Sequence, residues 1–150
     1  MNWTDLFDEN EWHKELRNLP YGKSYAVTLT LKQQIDRLKL DETYLEDTVS
    51  HFFHRVNTAV FGNAVRRYKK RLKMFGVWEK TDRYHVHLFI EKPNRLSHYQ
   101  FTHLLRENWR KTKWGYETDK IEPIYDFDGW VSYMSKRRTK PNGLLASILI

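Results

Sequence analysis

At 150 residues, 40% of them hydrophobic and 30% charged, the chain is long enough for one domain with one core. It has no cysteine, which excludes disulfides, thiolate nucleophiles and cysteine zinc sites and leaves His, Asp and Glu as metal ligands. The 26 Lys and Arg against 19 Asp and Glu give a net charge of +7, which favours a polyanionic partner, since each phosphate contacted releases condensed counterions.

The opening MNWTDLFDENEWHKEL is acidic and amphipathic, unlike a signal peptide, and predicts a short helix over the first 19 residues, ending before Pro20-Tyr21-Gly22. SYAVTLTL, residues 24–31, alternates and is rich in β-branched residues, so it predicts a strand. Asp41 then caps a long helix in which Leu45, Val49, Phe52, Phe53, Val56 and Val60 recur at helical spacing up to Phe61-Gly62. Its His51 and His54 lie among apolar residues and read as partly buried. A basic stretch follows, RRYKKRLKMFGVWEK, whose second half predicts a strand, and the polar connection Lys80 to Tyr84 leads into HVHLFIE, which makes the two a hairpin. Ser97 caps a second helix through Phe101, Leu104, Leu105 and Trp109. TDKIEPIY predicts a strand that Pro123 assigns to a sheet edge. Asp128 caps a last helix, GWVSYMSKRR, before Pro141-Asn142-Gly143.

No repeat or linker divides the chain, and no apolar run is long enough to span a bilayer, so one soluble domain over residues 1–150 is expected, with no membrane partner. The closing LLASILI either packs or begins something longer. The order strand, helix, hairpin, helix, strand, helix predicts an α+β fold: a split βαβ arrangement with an open-faced antiparallel sheet and helices on one side.

Within the hairpin, His85 and His87 share a strand face with Phe89, while Val86, Leu88 and Ile90 face the core. Two imidazoles about 6.5 Å apart on an open face can converge on one ion. They are equally well explained as polar alternation on a wet face. Glu79 falls almost opposite His85 if Lys80 to Tyr84 close the hairpin, and His-His-Glu suits Mn²⁺ or Mg²⁺, with Zn²⁺ also chemically possible. Parity places Phe75 and Val77 on the face of Glu79 unless Gly76 marks a bulge. In the last helix, Tyr133 and Lys136 lie three apart on one face. A tyrosine becomes a nucleophile when its phenolate is stabilised, since its free pKa of about 10 keeps it protonated at neutral pH. YxxK alone, however, is a common helical spacing.

AVTLTLK, YHVHLFI and VSYMSK occur in that order, in strand, strand and helix. This combination resembles the HUH endonuclease superfamily, and most closely its single-tyrosine rolling-circle replication initiators (Rep), over roughly residues 24 to 138. Relaxases and the related transposases resemble it less, the former because they carry a third histidine and the latter because glutamine usually follows their tyrosine. No GxxxxGK[ST] helicase loop is present, so the chain is either a stand-alone nicking protein with a possible helicase partner or an isolated endonuclease domain.

The resemblance implies that His85, His87 and Glu79 hold the divalent cation, that Tyr133 attacks the scissile phosphate of single-stranded DNA to leave a 5′-phosphotyrosine link and a free 3′-OH, and that Lys136 assists. It further implies an origin substrate, often a stem-loop, and a location in the cytoplasm of the host of a plasmid, phage or virus, or in the nucleus of a eukaryotic host. For the DNA path, cations interleaved with rings stand out: Arg66, Arg67, Lys69, Lys70 and Arg71 in one run, Arg110, Lys113 and Trp114 in another, with Arg137 in the tyrosine helix and Thr28 and Thr30 on the first strand. The alternatives are HUH transposase or relaxase-type strand transfer, a metal hydrolase that uses water, and a non-catalytic RRM-like nucleic-acid-binding module with aromatics on its central strands.

Overall fold

The structure is a computed structural model that describes residues 24–80 and 82–124. The expected first and last helices, and with them Tyr133, Lys136 and Arg137, lie outside the described residues. Within them the chain runs β1 (Ser24–Leu31), β2 (Gln34–Ile35), β3 (Leu38–Lys39), α1 (Glu42–Phe61), α2 (Ala64–Tyr68), β4 (Met74–Lys80), β5 (Tyr84–Glu91), α3 (His98–Arg110) and β6 (Gly115–Pro123). β2 and β3 form a separate two-stranded ribbon, turned at Asp36 with φ 53°.

Strands β4, β5, β1 and β6 form one sheet in that spatial order, and every neighbouring pair is antiparallel. The local signals explain the helices. The Asp41 side chain accepts a hydrogen bond from the Tyr44 amide to start α1. Ser97 and Gln100 form a reciprocal capping box at the start of α3.

Alternation then decides the layers. Val27, Leu29, Val86, Leu88 and Ile90 project from one sheet face into a core shared with Val49, Phe52 and Val56 of α1 and with Phe101, Leu105 and Trp109 of α3. Both long helices therefore cover that face. The result is an α+β domain, an antiparallel sheet with helices on one side, compatible with an open-faced ferredoxin-like fold. The ring of Trp109 packs edge-on against Phe52 while its Nε1 donates to the Thr30 carbonyl, which ties the end of α3 to β1. Asn57 performs the corresponding task at the end of α1: its Nδ2 donates to the Phe53 carbonyl and its Oδ1 accepts from the Leu72 amide, which positions the entry to β4.

Two expectations change. The face opposite the helices is not open along its whole length, because Ala26, Phe75, Val77 and Phe89 are all buried on it. His51 and His54, read as partly buried, are exposed. They alternate with the buried positions of α1 instead of joining them. Among the described residues no helix is long and apolar enough to cross a membrane.

Candidate functional site

The β4–β5 ladder runs in unbroken register from Met74↔Ile90 to Lys80↔Tyr84, so Gly76 makes no bulge. Parity therefore holds: Phe75, Val77 and Glu79 share a face with Phe89, His87 and His85. β1 adds Ala26, Thr28 and Thr30 to the same face, opposite Phe89, His87 and His85. Three cross-sheet rows result. Phe75, Phe89 and Ala26 make a buried apolar row at one end, while Glu79, His85 and Thr30 make a polar row at the other. Between them, Val77, His87 and Thr28 make a mixed row.

Glu79 is opposed to His85 in the backbone ladder, yet its carboxylate meets the other histidine: Oε1 stands 3.4 Å from Nε2 of His87. Both side chains are mostly shielded from water, with relative exposures of 12% and 13%. On the opposite edge of the ring, His87 Nδ1 lies 3.3 Å from Thr28 Oγ1. A hydroxyl both donates and accepts, so Thr28 can hold His87 in either tautomer and leave Nε2 directed at Glu79. His85 is half-buried, and its Nδ1 is buried without a hydrogen-bond partner. An orphaned buried imidazole nitrogen is the kind of group that a cation would satisfy.

The donor chemistry of these three side chains fits a divalent cation, and one pair already has a suitable spacing. Two donors bound at about 2.1 Å stand about 3.0 Å apart at a right angle and about 3.4 Å apart at a tetrahedral angle. The third donor does not join them: among the described residues no group of three His, Asp or Glu side chains stands close enough together to hold a metal ion. His85 shares their face without converging on the pair.

The expected DNA contacts divide. Arg66, Arg67, Lys69, Lys70, Arg71, Arg110 and Lys113 are all exposed. Trp114 is a correction: it is 2% exposed and stacks on Tyr44, with ring centroids 5.4 Å apart, so it is a packing residue and offers no platform. Thr28 and Thr30 use their hydroxyls within the fold, Thr28 toward His87 and Thr30 in donating to the Glu117 carbonyl while accepting from the Glu117 amide. Nor do the two basic runs form one groove. Arg110 and Lys113 precede Gly115, which pairs with Leu31 at the His85 end of the sheet. The other run enters β4 beside Glu91, roughly 20 Å away from His85 along the strand.

One residue of the site face was missed from sequence. β6 slips in register between Thr28 and Leu29, so that Lys120 pairs with Thr28 and Thr118 with Leu29. Lys120 therefore stands on the histidine face, in the row of Val77, His87 and Thr28, and is exposed. Only the break in alternation around Asp119 could have indicated this, and it does not show in the residue types.

Comparison with protein-family models, with curated proteins and with solved structures gave no significant match.

Proposed function

We propose that the chain is a single-tyrosine HUH-type endonuclease domain of the replication-initiator kind, which nicks and rejoins single-stranded DNA. The observation that carries this reading is the pairing of Glu79 with His87 on the sheet face opposite α1 and α3, the face that also carries His85 and its unpartnered Nδ1. The strand order supports it. β1 and β4 flank β5 and are joined through α1, while β5 and β6 flank β1 and are joined through α3, which we read as two interleaved split βαβ units.

In this reading His85, His87 and Glu79 would hold Mn²⁺ or Mg²⁺. Such an ion would supply positive charge at the scissile phosphate. Tyr133 loses its phenolic proton, and its oxygen bonds to phosphorus as the bond to the 3′ oxygen breaks. That oxygen takes up a proton and leaves as a free 3′-OH, and the 5′ side stays on the tyrosine. Attack by a 3′-OH on the phosphotyrosine reverses the step, so nicking and rejoining need no nucleotide triphosphate. Lys136 neutralises the phosphate or favours the phenolate, and Lys120 adds a second cation from across the sheet. Thr28 orients His87.

The RRM-like alternative needs exposed rings on the central strands, and Phe89 is 1% exposed. The test is incubation of the protein with short single strands, including stem-loops, and Mn²⁺, followed by a denaturing gel. A covalent adduct with wild type that is lost in Tyr133→Phe supports the proposal. Cleavage that survives the substitution means that water is the nucleophile, and RNA binding without cleavage of any substrate overturns the enzymatic reading.

A further inference from the structure

A cavity of about 290 Å³ opens on the helix side of the sheet, where the first half of α1 meets the connection from α3 to β6. Tyr44, Asp47, Thr48 and His51 line it from one face of α1, and Lys113 and Trp114 line it from the connection. The connection is firmly held. Thr112 Oγ1 donates to the Trp109 carbonyl at 2.6 Å, and the Lys32 amide donates to the Trp114 carbonyl at 2.8 Å. Only glycine fits at position 115, because a β-carbon there would run into the Trp109 carbonyl. Trp114 is buried and backs the half-buried ring of Tyr44, with centroids 5.4 Å and planes 21° apart. Thr48 is buried too, and its hydroxyl donates to the Tyr44 carbonyl, so toward the cavity it can only accept. Asp47, His51 and Lys113 are exposed, and among the described residues none of these three side chains has a hydrogen bond or an ion pair.

We propose that this cavity binds a guanine nucleotide. At about 290 Å³ it stands at the lower end of small-molecule sites, which run up to about 1,000 Å³, and so takes one ring system with its sugar. The aromatic wall suits a flat base stacked on Tyr44. The polar side chains select the base. Asp47 and His51 lie four residues apart on α1, hence side by side, and offer a carboxylate acceptor next to an imidazole N–H. Guanine presents the complement along one edge, the N2 and N1 donors followed by the O6 acceptor, whereas adenine has its donor and acceptor in the opposite order. Lys113, from the other wall, is the partner for the phosphate. A purely apolar ligand would leave all three polar side chains unused. The inference goes beyond the nuclease reading and does not rest on it, since the cavity and the histidine face lie on opposite sides of the sheet. The chemistry is the same for a free nucleotide and for one within a nucleic-acid strand, and the experiment separates the two.

The test titrates the full chain without metal, by saturation-transfer NMR and calorimetry, with GMP, AMP, guanosine and tryptophan as probes. A good bidentate base contact discriminates by about fivefold to a hundredfold, so wild type should bind GMP at least about fivefold more tightly than AMP. Asp47→Asn should remove that preference. Lys113→Gln should bring GMP down to the level of guanosine, while guanosine itself changes by less than about twofold. Both altered side chains are exposed, and unchanged circular dichroism and thermal melting confirm the fold. Equal binding of GMP and AMP by wild type overturns the assignment of the base. Tryptophan bound as tightly as GMP means a site for any flat ring and overturns it as well. No binding of GMP or of the trinucleotide TGT overturns the site altogether. Two outcomes uphold the proposal and identify the source. TGT bound more tightly than both GMP and TAT, with the gain lost in Asp47→Asn, puts the guanine in a strand, and GMP bound at least as tightly as TGT makes it a free nucleotide.

Discussion

The carboxylate of Glu79 bypasses the residue directly opposite it, His85, and meets His87 two positions along the neighbouring strand, Oε1 to Nε2 at 3.4 Å. This diagonal places one carboxylate oxygen and one imidazole nitrogen at the spacing of two ligands on a common ion. Substituting an outer-shell partner of a metal ligand typically costs about tenfold to a hundredfold in affinity, and losing a ligand should cost no less. Glu79→Ala is therefore expected to weaken Mn²⁺ binding at least about tenfold, as read by titration calorimetry or the Mn²⁺ electron paramagnetic resonance signal. An unchanged affinity would remove Glu79 from the ligand set and leave it as a hydrogen-bond acceptor for His87.

Lys120 shares a row with Thr28 and His87 and has no apolar neighbour on its own strand face that would explain its place there. On the proposed function its ammonium attracts the phosphate next to the one being cut. Lys120→Ala should raise the KM for single-stranded DNA roughly threefold to tenfold and steepen the response to added salt less than wild type does, with Lys120→Arg restoring most of the loss. A kcat that falls while KM stays fixed would instead give Lys120 a part in the transition state.

The elements that were legible in the sequence are those with sustained periodicity or a chemical cap. α1 was marked by Asp41 and by Leu45 to Val60 at helical spacing, and α3 by Ser97 as its cap and by Phe101 to Trp109. The hairpin register was legible because side-chain alternation fixes which residues share a face once the turn is placed, and the observed pairing of Glu79 with His85 follows. What escaped had no local signature. The strands β2 and β3 have two residues each, too few to alternate. Lys120 reached the site face through a register slip that depends on packing against β1. Trp114, preceded by Lys111 and Lys113, looks like an exposed platform until the stack with Tyr44 is seen, a contact set by how α1 meets the end of α3. The burial of Phe75, Val77 and Phe89 could be read as core packing or as an aromatic surface, and alternation alone does not choose.

Asn57 is 1% exposed and bridges the Phe53 carbonyl and the Leu72 amide. Truncation to alanine would leave the Leu72 amide buried without an acceptor, at a cost of about 2 kcal/mol. In a domain of this size that lowers the melting temperature by about 4–8 °C. Because Leu72 leads into the strand that carries Glu79, Mn²⁺ binding should weaken as well, even at temperatures where the variant is fully folded. A melting temperature within about 1 °C of wild type would show that water satisfies the amide and that the bridge is dispensable.

Glu46 is, among the described residues, a group whose ionisation the fold opposes. Its pKa is raised above the ordinary 4.5 by burial first, then by the nearby charges of Glu42, one helical turn before it, and Asp47. A folded-state pKa above the unfolded one means that the native protein holds this proton more tightly, so the charged carboxylate lowers stability at neutral pH and the penalty fades as pH falls through the raised value. Glu46→Gln removes the charge and keeps the helix propensity. Because the side chain remains partly solvated, the gain at pH 7 is set by the like-charge spacing and comes to about 0.3 kcal/mol, or roughly 1 °C in melting temperature. The difference between Glu46→Gln and wild type should shrink toward zero at pH values below the ordinary carboxylate range. Differential scanning fluorimetry of the two proteins at pH 7 and pH 3 decides it, and a difference that grew on acidification would mean that Glu46 makes a favourable ionic contact instead.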